Sequence, residues 1–426
     1  MSTGSAAAQP LGMVGRSGSG RRYLAFAYAC EPAEGSEPGA GWMWARMLAQ
    51  SAETWVLTRA NNKEQIDSSL RSIPERDKIH FVYVDLPAWL RFWKRGTRGV
   101  LPYYMLWQFA ALKAARRLHR TVGFDVVWHL TFANAWLGSA AWLVGPPFVL
   151  GPVGGGVGPP WNLVPSLGLR SVLSELVREI ARASGRYLNP LARMAWRRAR
   201  LILVQNQETA RWLPAPDRHK ARVFPNVVLS DLHASNRGPG SRPTTAMFAG
   251  RLVGWKGVAL AIRAISQLPA WRLLVCGKGP DEGRLRRLVS DLDLEDRVTF
   301  TGWLPRSEVL RLMREEAGVF LFPSLHDEAG WVVVEALMAE LPTVCLDRGG
   351  PRLLINRHGI AVSAAGSPSA VVARLALALE KVRTVSITGS SDLARRYVIG
   401  RRAEELLELL DLSGALASGL PLGMDE

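Results

Sequence analysis

Short apolar runs recur along this chain. Each is closed by a turn rich in Gly, Pro or polar residues and followed by a segment with helical spacing. In the first half, residues 21–30, 54–58, 79–84, 124–129, 147–150 and 201–204 read as strands, and 223–228 closes the half. Helices are expected at 42–50, in a short piece ending near 144, through the Arg-rich stretch 170–200, and from Asn206 onward. In the second half, residues 245–249, 272–276, 297–302, 318–323 and 343–346 read as five strands with helices between them. Strand–loop–helix–strand repetition of this kind predicts an α/β chain built on doubly wound parallel sheets.

Domain organisation follows from the interruptions. Residues 1–20, rich in Ser, Ala and Gly without the apolar core of a signal peptide, read as a disordered tail. A first domain is expected over 21–229 and a Ser/Gly/Pro-rich linker over 230–243. A second domain is expected over 244–385, and in 386–426 a helix returning to the first domain, then a tail. The stretch 130–169 holds no Asp, Glu, Lys or Arg, but Gly145-Pro146-Pro147, Gly151-Pro152 and Gly154-Gly155-Gly156 cut it into pieces too short to span a bilayer.

Composition changes this picture in two ways. The chain has 426 residues, 48% of them hydrophobic, enough for two cores; its three cysteines are isolated in apolar runs, which fits a reducing compartment rather than a zinc site or disulfide framework. The formal charge of +16 permits nucleic acid, an anionic membrane surface or a phosphate-bearing substrate as partner. From Leu86 to Phe124 no acid occurs, and Arg91, Lys94, Arg95, Arg98, Lys113, Arg116, Arg117 and Arg120 are interleaved with Trp and Tyr. Three readings of this stretch stand open: the interface of an anionic bilayer, a pair of helices burying their rings, and nucleic acid stacked on aromatics.

Candidate chemistry gathers after the strands, where α/β sheets bind ligands. The stretch from His326 to Leu337 runs from a polar turn with Asp327 and Glu328 into an apolar helix, expected over 329–340, that carries a single carboxylate, Glu335. Buried without a partner, that carboxylate would cost several kcal/mol, on the order of 3–5, so it must face solvent or accept hydrogen bonds. Arg251 and Lys256 share one strand-to-helix loop, placed either to neutralise a phosphate or as ordinary surface cations. Gly39 and Gly41 sit in an expected loop over 31–41, for close approach to a ligand or for tight turning. His129 ends a strand on the ligand-binding edge, where a structural and a functional role are both open.

The ordered set of Val223-Phe224-Pro225-Asn226, Gly250-Arg251 with Lys256-Gly257, Val275-Cys276-Gly277-Lys278-Gly279-Pro280, Phe300-Thr301-Gly302-Trp303, Pro323-Ser324 and the acid-x7-Glu element Asp327–Glu335 resembles the family-4 retaining glycosyltransferases of GT-B fold. The resemblance covers roughly residues 22–385, and Ser36-Glu37-Pro38-Gly39-Ala40-Gly41-Trp42 resembles one subgroup of that family. It implies two Rossmann-like domains facing a central cleft. It implies transfer of a sugar from a nucleotide-diphosphate donor to an acceptor hydroxyl, in polysaccharide or glycolipid synthesis, with no cofactor and no metal. By the same resemblance His129, Arg251 and Lys256 serve catalysis, His129 touching the transferred sugar and the two cations gripping the diphosphate. Gly39, Gly41 and Gly277 line the donor, Asp327 with the N–H groups of Ala329, Gly330 and Trp331 holds the sugar, and Glu335 holds the ribose. Asp327 stands where the family usually has Glu, and Lys278 where an acid is common. Asp291-Leu292-Asp293 imitates the metal motif of the other glycosyltransferase fold, but at an expected helix end it reads as solvated charge. The implied partners are a nucleotide sugar, a glycan or glycolipid acceptor and an anionic membrane surface through 86–124, with no nucleic acid. The implied location is cytoplasmic, on the inner face of the membrane. The rival readings are another GT-B nucleotide-sugar enzyme such as an epimerase, and a basic nucleic-acid-binding protein.

Overall fold

The computed structural model describes residues 20–32, 36–90, 94, 99–230, 243–356, 358–382 and 395–416. The expected N-terminal tail up to residue 19, most of the linker, the last ten residues, and Arg91, Arg95 and Arg98 lie outside the described residues.

The first sheet contains β1 (Arg22–Phe26), β2 (Glu53–Thr58), β3 (Ile79–Tyr83), β4 (Val126–His129), β5 (Phe148–Val153), β6 (Ala199–Val204) and β7 (Ala221–Val223). Its order is β3-β2-β1-β4-β5-β6-β7. The second contains β8 (Thr245–Ala249), β9 (Arg272–Cys276), β10 (Val298–Gly302), β11 (Val319–Phe322), β12 (Thr343–Leu346) and β13 (Gly359–Val362), in the order β10-β9-β8-β11-β12-β13. Every pairing is parallel. In each sheet the order reverses beside the first strand, which opens the crevice at the carboxyl ends where such sheets bind ligands. The expected fold is the one found. The five expected second-half strands are present, and β13 is an addition: it lies at the sheet edge and is four residues long, with only Val362 buried.

The helices are α1 (Ser36–Ala49), α2 (Lys63–Leu70), α3 (Val100–Val122), α4 (Leu169–Tyr187), α5 (Pro190–Arg198) and α6 (Gln207–Trp212) in the first half. In the second half they are α7 (Val258–Ser266), α8 (Glu282–Ser290), α9 (Arg306–Glu315), α10 (Trp331–Met338), α11 (Gly349–Ile355) and α12 (Pro368–Val382), and the chain ends with α13 (Ile399–Leu412). In α13, Ala403, Leu406 and Leu410 join Trp44, Ala45 and Leu48 of α1 in the core on one face of the first sheet. The chain crosses back beside its outward crossing, where Leu229 N donates to Tyr397 O at 2.7 Å and Ile399 N to Leu229 O at 2.9 Å.

One expectation is corrected, and one open reading is narrowed. Residues 36–41 are not loop: α1 begins at Ser36 and takes in Gly39 and Gly41. Pro38 is tolerated because first-turn N–H groups have no intrahelical partner. Gly41 answers to packing, since a Cβ there would sit 2.1 Å from the carbonyl oxygen of Ala29 at the end of the first strand segment. Within 86–124, Tyr103, Tyr104 and Trp107 are fully buried under the first sheet, so most described rings are core. Leu106, Phe109, Lys113, Arg116, Arg117 and Arg120 remain outside on α3.

Gly41→Ala tests the packing reading by its sign. Alanine favours a helix interior over glycine by about 1 kcal/mol, so an unhindered site would be stabilised. We expect a fall in Tm of several degrees by calorimetry, because the clash is with backbone that cannot rotate away.

Candidate active site in the interdomain cleft

The carboxyl ends of the two sheets face each other, and the loops after β5, β6 and β7 touch those after β11 and β12. At the centre of the contact is Glu328. Its Oε2 accepts from Asn206 Nδ2 at 2.8 Å and from the Thr209 hydroxyl at 3.1 Å. Its Oε1 accepts from Val157 N at 3.3 Å, with Arg178 NH2 at 3.7 Å. Asn206 also donates to the Glu328 carbonyl at 3.0 Å, while its own side-chain oxygen caps α6 by accepting from Thr209 N. The glycine run makes the approach possible: a Cβ at Gly154 would lie 2.9 Å from Glu328 Cγ, and one at Gly156 would lie 2.2 Å from Thr209 Cα. Around this knot, His326 Nε2 and Glu175 Oε1 are 2.8 Å apart, Gly349 N donates to Glu208, Arg348 to Gly158 O, and Trp331 Nε1 to Asn226 at 2.9 Å.

Asp327, the residue before Glu328, turns the other way. It pairs with Lys256 and accepts from Gly330 N at 2.8 Å. Burial alone would raise the Asp327 carboxyl; the Lys256 ammonium, the Gly330 N–H and His326 outweigh it and hold it below the usual value. Lys256 is caged further by the rings of Trp255 at 4.4 Å and Phe322 at 5.0 Å, and Trp255 stacks on His326. Gly257, at φ +74° before α7, leaves only 2.0 Å between a would-be Cβ and the carbonyl of Pro323, so the two loops lie against each other. Gly330, at φ +73°, starts α10 in the same manner. Ala329 is nearly buried beside it.

Gly277 brings the loop after β9 onto the loop after β8, where a Cβ would lie 1.9 Å from Gly250 O. Arg251 projects from that loop, exposed and without an ion pair among the described residues. Glu335 lies mostly buried on α10 with Arg306 Nε 2.6 Å from its Oε1. Its partner is thus a cation from the start of α9, which sequence reasoning did not assign. Oε2 makes no hydrogen bond to any described residue.

The first domain supplies less than expected. His129 is 1% exposed, with Nε2 2.9 Å from the Tyr104 hydroxyl and Nδ1 2.8 Å from Ser139 Oγ. Burial lowers its pKa to about 4, so it is neutral at ordinary pH. Both of its ring nitrogens are met inside the first domain, at the position where the resemblance implies contact with the transferred sugar. Near it the loop after β4 carries Phe132 at φ +53°, held by Glu37 of α1, whose Oε1 accepts from Phe132 N at 2.5 Å. Gly39 and Gly41 lie in that part of α1. The structure therefore brings Arg251, Lys256, Gly277, Asp327, Ala329, Gly330, Trp331 and Glu335 to one edge of the second sheet, with His129 apart from them. Asp291 and Asp293 are exposed at the end of α8. Among the described residues no group of three His, Cys, Asp or Glu is placed to hold a metal ion.

Two outcomes follow from this geometry. Glu328→Ala strands Asn206, Thr209 and Val157 without their acceptor; we expect a loss of about 1–3 kcal/mol by chemical denaturation together with a larger radius of gyration in small-angle scattering. No change in either would place domain coupling elsewhere. His129, with its folded pKa below the unfolded value, binds fewer protons folded than unfolded between about pH 4 and 6.5. Stability should therefore fall as pH drops through that window, and His129→Gln should flatten that part of the Tm–pH curve relative to the unsubstituted chain.

The chain is similar to known glycosyltransferases in sequence and in fold. Residues 233–386 match the family model described as "Glycosyl transferases group 1". The chain is 30% identical over 350 residues to a 2-deoxystreptamine N-acetyl-D-glucosaminyltransferase of Streptomyces fradiae, covering 75% of this chain and 79% of that protein. It is 28% identical over 213 residues to a GDP-mannose:cellobiosyl-diphosphopolyprenol alpha-mannosyltransferase of Xanthomonas oryzae pv. oryzae, covering 46% of this chain and 55% of that protein. Another match, to a 2-deoxystreptamine glucosyltransferase, spans only 27% of the relative. The crystal structure of Anabaena HepE in complex with UDP shares the fold, with a TM-score of 0.60 at 16% identity, over 92% of this chain and all of that one. On the family model and the long Streptomyces alignment together, this chain belongs to the group 1 glycosyl transferases, with a GT-B fold.

Proposed function

We propose that this chain is a retaining, family-4 glycosyltransferase, of the subgroup marked by Ser36-Glu37-Pro38-Gly39-Ala40-Gly41-Trp42, which moves a sugar from a nucleotide-diphosphate donor to the hydroxyl of a glycan or glycolipid acceptor. The observation that carries the reading is the cluster of Lys256, Asp327 and Gly330 at the starts of α7 and α10, with Arg251 exposed beside it. A diphosphate leaving group needs positive charge where its own charge develops. Two cations and two helix N-termini meet that need in a cleft of low dielectric. Arg251 and Lys256 bind the diphosphate, Lys256 sharing its charge between Asp327 and phosphate. Asp327 and the N–H groups of residues 329–331 orient the sugar. Glu335, held on one oxygen by Arg306, keeps its second oxygen for the ribose hydroxyls.

The bond from the anomeric carbon to the diphosphate breaks, and its electron pair stays on the phosphate oxygen. The acceptor hydroxyl attacks from the face the leaving group vacates, and its proton passes to that phosphate oxygen, which retains configuration. The reaction needs no resident metal, because the side-chain cations take that electrostatic role. Gly39 acts from the first domain in the N-terminal turn of α1, Gly41 lets that helix lie against the Ala29 carbonyl, and His129 holds the loop after β4 through Tyr104 and Ser139. An epimerase would need acid–base groups flanking the sugar, and His129, the candidate for that role, has both ring nitrogens engaged by Tyr104 and Ser139. The buried, reduced state of Cys30, Cys276 and Cys345 fits a cytoplasmic setting. The basic outer half of α3 fits attachment to the inner membrane face.

Lys256→Ala should lower kcat for transfer by about 10²–10³, read well below its Tm because losing the cation beside the buried Asp327 also costs about 3–5 kcal/mol of stability, and Glu335→Ala should weaken donor binding in a thermal-shift screen of nucleotide sugars. Chelation with EDTA should leave turnover unchanged. Near-normal turnover in Lys256→Ala would overturn the site, and loss of activity restored by a divalent cation would overturn the metal-free mechanism.

A further inference from the structure

Helix α4 is amphipathic in the reverse sense for a helix facing water. Its inner side is polar. Glu175 is buried against His326, Arg178 NH2 donates to Val157 O at 2.8 Å, and Arg182 NH1 donates to Gly156 O at 2.8 Å. Its outer side is aliphatic: Leu169 is 75% exposed, Leu173 55%, Val177 67% and Ile180 59%, and Leu188 just beyond the helix 77%. At 3.6 residues per turn, positions 169, 173, 176, 177 and 180 fall on one side and 171, 175, 178, 182 and 185 on the other. A monomer in water scatters such residues singly, whereas a contiguous apolar face marks a surface that is covered.

Charge selects what covers it. The exposed positions from 169 to 200 include Arg170, Arg193, Arg197, Arg198 and Arg200, and not one acid. α3 and α5 bury their inner sides in the same core, so their outer sides share one face of the first domain. There Arg198 lies over the Trp142 ring at 5.6 Å and Arg116 donates to Leu143 O at 3.0 Å. Beside them a groove of about 440 Å³ is lined by Phe109, Leu112, Lys113, Arg116, Arg117 and Arg120. A second copy docked through this face would set arginines against arginines with no acid to pair them. Nucleic acid would use the cations but has no use for a row of Leu, Val and Ile. A bilayer with anionic headgroups satisfies both halves.

We propose that α4 lies flat in the interface of an anionic membrane. Its aliphatic side enters the acyl boundary, and the arginines of α5 and the basic end of α3 sit at the headgroup phosphates. The helix does not cross, since none among the described residues is long and apolar enough. Because its inner side binds the loops of Val157 and His326, the cleft is held next to the membrane. The inference rests on the membrane location proposed above, adds to it the side chains that enter lipid, and is independent of the donor chemistry.

The test uses the full chain and vesicles made with phosphatidylglycerol, compared with phosphatidylcholine alone. The unsubstituted chain should float with the anionic vesicles, and Leu173→Gln/Val177→Gln/Ile180→Gln should lose at least about tenfold in affinity with unchanged Tm. Trp introduced by Ile180→Trp should be quenched by brominated acyl chains. If the triple variant binds normally while Lys113→Gln/Arg116→Gln/Arg117→Gln does not, α4 is not the inserted element and the membrane reading survives. No binding of the unsubstituted chain to either vesicle overturns both. A concentration-dependent dimer that the triple variant abolishes, with no vesicle binding, would assign the face to a second copy.

Discussion

The interaction on which the rest of the structure depends is the Glu328 carboxylate of the second domain, held by donors of the first. Asn206, Thr209, Val157 and Arg178 come from three segments far apart in sequence, and all converge on two oxygens. A carboxylate desolvated in this way is tolerated only when its lone pairs are filled. The arrangement therefore sets how the two sheets face each other. Since Glu328 lies between Asp327 and the Ala329-Gly330 turn, the same bonds also set where the acid and the N–H groups of the proposed sugar site stand.

That requirement explains why α4 is polar on the inside. The loops it covers expose carbonyls at Gly156 and Val157 and a histidine at 326, and a helix packed on them must bring Arg182, Arg178 and Glu175 to meet them. With its polar residues spent inward, the outer side is left aliphatic. The helix thus joins the cleft to a surface that suits lipid, and the excess of +16 formal charges is partly placed along the same face.

In the cleft itself two acids are handled in different ways. Asp327 is charged because Lys256, Gly330 N–H and His326 together exceed the cost of burial. Glu335 is steadied by a single arginine from the neighbouring helix, and its second oxygen makes no hydrogen bond to a described residue. The first is a fixed anion paired with a lysine; the second is the acceptor that the proposed function gives to the ribose. The division is one of partners, because both residues are carboxylates a few turns apart on one segment.

The sequence by itself determined the strands, their parallel winding and the two-domain plan, because each depends on local apolar period and turn chemistry. Residues 245–249, 272–276 and 343–346 were legible to the residue, and Arg251, Lys256, Asp327 and Glu335 were picked out since cations and acids stand out in loops after buried strands. Edge strand β13 is four residues long with only Val362 buried, too short a run to stand out, and the helical start of α1 was hidden by Pro38 and two glycines that otherwise mark turns. The tertiary structure alone decided the partners. That Arg306 meets Glu335, that Glu328 rather than an inert neighbour of Asp327 ties the domains, and that His129 turns inward to Tyr104 and Ser139 are all facts of long-range contact. A side chain's chemistry can be read from its letter, but which groups fill its hydrogen bonds depends on segments a hundred residues away that only folding brings near.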